Sequence, residues 1–125
     1  MTMRTPLSRV LHLGSAHGGT EHFWRQRLTA IANVPLVVGL IVVLIATVGR
    51  PHGEVVAVLG SPGVAGLMLL AVLSIVVHMR LGMQTIIEDY VAGATKIVLL
   101  VANTFFAVAA GAVAVIAILK IALGG

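Results

Sequence analysis

The chain has 125 residues, 59% of them hydrophobic and only 10% charged, with a net charge of +4 and no cysteine. Soluble domains carry about 25% charged residues, so this composition excludes an ordinary water-exposed surface and makes lipid the expected solvent. The missing cysteine excludes disulfides, thiolate metal sites, a thiol nucleophile and iron–sulfur ligation by this chain.

One domain is expected at this length. Residues 1–27 read as a polar head that carries Arg4, Arg9, Arg25 and Arg27. Its Gly18-Gly19 pair suggests a loop, with Thr20 as N-cap and Glu21 in the first helical turn. The remainder, 28–125, reads as a single membrane domain with spans at about 28–49, 63–90 and 97–119. The first run, Leu28 to Gly49, contains no charge. Its 22 residues suffice to cross a core of about 30 Å at about 1.5 Å per residue. Pro35 is expected to kink or break this helix near its start. Arg50-Pro51-His52-Gly53-Glu54 reads as a turn, and Gly60-Ser61-Pro62-Gly63 as a second breaker with Pro62 suited to a first helical turn. The second run continues as a helix to Tyr90. Gly93 and Ala94 mark a short turn before the third run, which Lys120 and Gly124-Gly125 close.

The expected fold class is therefore an all-α integral membrane protein of three transmembrane helices, contributing to a heteromeric bundle. The basic residues are scattered, without a Lys/Arg run or interleaved aromatics, which argues against nucleic acid as a partner. They read instead as topology. Four Arg precede the first span, and Arg80 and Lys96 are counted with the second loop; Arg50 and Lys120 stand alone on the other side. Six against two puts the N-terminus in the cytoplasm. A cleavable signal peptide is disfavoured by the long head before the first run. The acid-free beginning faintly resembles a mitochondrial presequence, so the expected bacterial inner membrane stands beside a mitochondrial inner membrane as alternative.

The chemistry concentrates in His78-Met79-Arg80-Leu81-Gly82-Met83-Gln84-Thr85-Ile86-Ile87-Glu88-Asp89-Tyr90. An imidazole within a span is costly unless something binds it. His78, Gly82, Thr85 and Asp89 share one helix face. A glycine one turn from the histidine would let a flat ligand such as haem approach the backbone. A structural histidine bonded across helices to a carbonyl is the equal alternative. If His78 binds haem iron, a second axial ligand must come from another subunit, because no other histidine lies in these spans. Tyr90, the one tyrosine, suits either an interfacial anchor or a hydrogen-bond donor to a bound carbonyl, with Asp89 orienting it or exchanging protons. With the N-terminus cytoplasmic, both lie at the cytoplasmic face, about 16 to 18 Å along the helix from His78. Arg25 and Arg27 read as snorkelling topology residues or as partners for a carboxylate. His12, His17, His22 and His52 show no metal-ligand spacing and read as interfacial or solvated. Ala107 and Gly111 have the small-xxx-small spacing of a helix-packing face.

HMRLGMQTIIEDY resembles the H-x-x-x-G-x-x-x-x-x-x-D-Y signature of the small hydrophobic membrane anchor of succinate dehydrogenase. LGSAHGGTEHFWRQRLTAIANVP is similar to the N-terminal region of that anchor in alphaproteobacteria. The resemblance implies membership of a succinate:quinone oxidoreductase (complex II of electron transport and the tricarboxylic acid cycle), with succinate oxidation in the partners. Those partners would be a flavoprotein subunit, an iron–sulfur subunit and a second membrane anchor, the cytochrome b anchor. It further implies His78 as an axial ligand of a haem b shared with the cytochrome b anchor, Tyr90 hydrogen-bonded to ubiquinone with Asp89 beside it, and Arg27 near the haem propionates. The alternatives are the anchor of a related quinol:fumarate reductase and a non-redox three-helix module of transport or assembly.

Overall fold

A computed structural model describes residues 16–124, with side chains from Thr20 onward. Arg4, Arg9 and His12 lie outside the described residues, as does the presequence-like beginning, and the side chain of His17 is likewise outside them. The described chain is helical throughout: α1 (Ala16–Thr47), α2 (His52–Leu59), α3 (Pro62–Tyr90) and α4 (Ala94–Ala122). Three of these are long and apolar enough to cross a membrane: Thr20–Thr47, Pro62–Tyr90 and Ala94–Ala122, with mean hydropathies of 2.6, 2.2 and 2.4.

The first helix starts before the expected boundary. Gly18 and Gly19 are helical, not a loop, and Thr20 lies inside α1 and does not cap it. Each glycine costs about 1 kcal/mol in a helix, but a helix of 32 residues needs no new nucleus to extend through them. Glu21 and Arg25 pair one turn apart and support this stretch. Pro35 does not end the helix, which runs unbroken from Ala16 to Thr47. Gly49, at φ 77°, closes it. The expected turn at residues 50–54 is the start of α2, with Pro51 as its N-cap. Arg80 also departs from the expectation. It sits within α3, half-buried, with its Nε donating to Thr104 Oγ1 at 3.4 Å, so it is no loop residue.

Helix α3 forms the middle of the molecule. Helices α1 and α4 each pack along it and do not touch each other among the described residues. The core is correspondingly thin: Ala65, Ala71, Leu81, Ile87, Ala107 and Ile118 are buried. No residue in the most apolar window of α1 is buried. Outward-facing Ile, Leu, Val and Phe side chains cover the three long helices, a surface compatible with lipid or protein but not with water.

Small residues set the helix spacing. Ala107 is 1% exposed, and on the same face of α4 Asn103 Nδ2 donates to the Arg80 carbonyl at 3.0 Å. A Cβ placed on Gly111 would meet Val76 at 3.5 Å, so the small-xxx-small face packs on α3 as its spacing implies. Overpacking such a site costs about 1–3 kcal/mol. Ala107→Leu is therefore expected to lower the thermal midpoint of the detergent-solubilised protein, while Phe105→Leu on the lipid-accessible side leaves it near wild type. Gly60 has a closer constraint: a Cβ there would lie 3.0 Å from the Ile121 carbonyl oxygen, which brings the end of α2 against the end of α4.

Candidate functional site

His78 is half-buried on the side of α3 that meets α1. Its Nδ1 lies 3.1 Å from Thr29 Oγ1. The Thr29 hydroxyl lies 2.8 Å from the Arg25 carbonyl oxygen and 3.1 Å from that of Gln26. One turn earlier on α3, Ser74 Oγ donates to the Thr29 carbonyl at 3.3 Å. A single residue of α1 thus bonds two successive turns of α3. The histidine does bond across helices, as a structural role would have it, but through Nδ1 to the Thr29 hydroxyl and not to a carbonyl. Nε2 makes no hydrogen bond among the described residues.

The glycine beside it is less open than its spacing suggested. A Cβ on Gly82 would sit 3.4 Å from Gln26 Nε2, ordinary contact distance, so the Gln26 amide covers that edge. Gln26 belongs to a feature that the motif around His78 does not contain. His22, Gln26, Thr29 and Asn33 recur on one face of α1 at the 3.6-residue period. His22 Nε2, Gln26 Oε1 and Asn33 Oδ1 are enclosed without a hydrogen-bond partner. Each such atom costs about 1–3 kcal/mol, so this stripe holds unused hydrogen-bonding capacity. The signal is present in the sequence: Thr29 and Asn33 interrupt an apolar run at helical spacing from His22 and Gln26. His22, expected to be interfacial or solvated, is half-buried, whereas His52 is exposed.

Two recesses flank the α1–α3 seam. One, of about 250 Å³, is lined by Glu21, His22, Arg25, Arg80, Leu81 and Gln84. The other, of about 590 Å³, is apolar and lined by Leu28, Thr29, Ala32, Pro35, Leu36, Leu70, Leu73 and Ser74. Thr29 and Ser74, which hold His78 in register, form the polar edge of this second recess.

Arg27 is two residues from Thr29, about 200° around the helix. It lies outside both recesses, with its guanidinium carbon 5.1 Å from the Phe23 ring centroid. Arg25 and Arg80 are the cations that line the polar recess beside the seam. Asp89 and Tyr90 end α3, both exposed, Tyr90 at 84%. The turn that follows uses Gly93 at φ 72°, a conformation glycine takes without strain. The structure therefore brings His78 to Thr29, with Ser74 bonded to the same threonine and Gln26 against Gly82, and leaves Tyr90 and Asp89 about three helical turns away at the helix end. No cluster of three or more His, Asp or Glu that could hold a metal ion occurs among the described residues. A single imidazole ligand, as haem requires from one side, is the one arrangement of the metal type that His78 offers.

These features define a multi-pass α-helical membrane protein with a hydrogen-bonded histidine in its central span. Residues 1–119 match the family described as the succinate dehydrogenase/fumarate reductase transmembrane subunit, and the chain belongs to that family. It is 32% identical over 120 residues, covering 96% of this chain and 93% of the relative, to the succinate dehydrogenase hydrophobic membrane anchor subunit of Paracoccus denitrificans. It is 32% identical over 89 residues, 71% of each chain, to the protein of the same description in Rickettsia bellii (strain RML369-C). No solved structure matches. With its three spans and bacterial relatives, this is a multi-pass protein of the bacterial inner membrane.

Proposed function

We propose that this chain is the membrane anchor of a succinate dehydrogenase, docking a flavoprotein subunit and an iron–sulfur subunit to the membrane, sharing a haem b with a second anchor of the cytochrome b type, and forming part of a ubiquinone-reduction site. The family match over nearly the whole chain carries this reading. It counts against the non-redox three-helix module. The family also includes fumarate reductase subunits, but both relatives described above are succinate dehydrogenase anchors. The N-terminus and the α3–α4 turn face the cytoplasm in this proposal, supported by the basic residues of the head and Lys96.

His78 is the residue of this chain that would hold haem iron. The fit rests on its ring: Nδ1 is engaged by Thr29, while Nε2 has no hydrogen-bond partner among the described residues. The haem would supply a one-electron carrier within the bilayer. Arg27 is proposed for a propionate from the resemblance. Its place beside Phe23 means that a carboxylate would have to reach it at the outer side of α1; Arg25 and Arg80 are the cations nearer the seam.

Tyr90, exposed at the end of α3, is proposed to donate a hydrogen bond to a ubiquinone carbonyl. That bond strengthens as the oxygen gains negative charge. Reduction of the quinone takes two electrons and two protons, and Asp89, exposed beside Tyr90, can exchange protons with water. The remaining quinone contacts belong to the partner proteins.

The reading is tested by redox spectroscopy and activity of the purified assembly. A haem b spectrum together with succinate-dependent ubiquinone reduction is expected. A preparation without haem or quinone reductase activity would oppose it.

A further inference from the structure

We infer that Thr29 is a positioning residue for His78: its hydroxyl accepts the Nδ1–H of the imidazole and so keeps Nε2 as the lone-pair nitrogen. This rests on the reading of His78 as a haem ligand and adds to it the tautomer and the group that sets it.

A threonine hydroxyl has one proton to donate and two lone pairs to accept with. Its shortest contact is the Arg25 carbonyl oxygen at 2.8 Å, with the Gln26 carbonyl at 3.1 Å. Carbonyl oxygens only accept, so the proton is committed to the α1 backbone. The lone pairs remain for His78 Nδ1 at 3.1 Å. A ring nitrogen held against a lone pair must carry the hydrogen, and in a neutral imidazole the other nitrogen is then bare.

Thr29 is also held in place. Its β-branched side chain bonds back to the preceding turn, which restricts χ1, and its own carbonyl accepts from Ser74 Oγ at 3.3 Å. The chain His78 N–H to Thr29 O–H to Arg25 C=O is thus a relay of two bonds pointing one way, each polarising the next. A ligand imidazole whose second nitrogen donates a hydrogen bond is a more basic ligand. It favours ferric over ferrous iron and holds the metal more tightly.

The test uses the intact membrane complex carrying Thr29→Val, Thr29→Ser and His78→Ala, with haem midpoint potential and haem content as readouts. T29V preserves shape but removes the acceptor. It is expected to move the midpoint to a more positive value and to weaken haem retention by roughly 10- to 100-fold. T29S keeps the hydroxyl and is expected to hold both readouts at wild type. Should T29V fail to assemble, Thr29→Ala reads the same shift. Wild-type potential and haem content in T29V or T29A, with haem lost in H78A, would overturn the role of Thr29 and spare the ligand assignment. An equal disturbance in T29S and T29V would also overturn it, as that is the mark of packing alone. Retention of an unaltered haem spectrum by H78A would remove the ligand assignment and this inference together.

Discussion

The complex carrying His78→Ala is expected to lose its haem b absorbance while still oxidising succinate with a soluble artificial acceptor. The expectation follows from what the substitution takes away. It deletes the imidazole that Thr29 orients at 3.1 Å and leaves a half-buried gap between α1 and α3. Loss of a group that merely supports a metal ligand costs about 10- to 100-fold in affinity, so loss of the ligand itself should exceed the upper end of that range. On the proposed function succinate oxidation would lie in the partner proteins, and it should persist as long as the anchor still docks them. The absorption spectrum of the solubilised complex, oxidised and dithionite-reduced, checks the first part, and the artificial-acceptor assay checks the second. An unaltered haem spectrum would show that iron is held elsewhere and that the imidazole only joins two helices.

Tyr90→Phe is expected to lower ubiquinone reduction by roughly 10- to 100-fold with little change in stability. The substitution removes one oxygen at the exposed end of α3. A hydrogen bond to a group that gains charge is worth about 1.5–3 kcal/mol, and each 1.36 kcal/mol off a barrier is about tenfold in rate. Stability should hold because Tyr90 is 84% exposed and its ring fills no part of the core. Steady-state quinone reductase assays alongside artificial-acceptor assays separate loss of the quinone step from loss of assembly. A Phe variant with the wild-type quinone rate would return Tyr90 to the role of an interfacial anchor. Asp89→Asn is expected to act in the same direction but less strongly, since a neighbouring carboxylate that exchanges protons can be bypassed by water.

The three spans were legible because lipid imposes a demand that composition reveals directly: long runs without charge. The helix starts were less so. Gly18, Gly19 and Pro35 are breakers by local propensity, yet α1 passes through all three, because a long helix already nucleated accepts a penalty that would stop a short one. Pro51 and Gly53 concealed α2 in a similar way; the proline serves as its N-cap. Arg80 reads as a loop cation because charge in a span is costly. Thr104 and the half-buried surroundings of α3 accommodate it instead.

At the site, an imidazole within an apolar span singled out His78, and periodicity placed it on the face of Gly82 and Thr85. It could not show what stands opposite, because the partner lies 49 residues away in α1. Thr29 was visible as a polar interruption, but its pairing with His78 depends on how the two helices pack. The enclosed oxygens of Gln26 and Asn33 were obscure for the same reason. Arg27 illustrates the opposite limit. A motif alignment assigns a residue type to a position but not a direction, and in this chain the guanidinium lies over Phe23.

Mild-detergent affinity purification of the tagged chain from its native membrane probes most directly whether it anchors a succinate dehydrogenase. The account predicts that a flavoprotein and an iron–sulfur protein accompany it and that the eluate reduces ubiquinone with electrons from succinate. A chain that elutes without either protein and without dehydrogenase activity would contradict it.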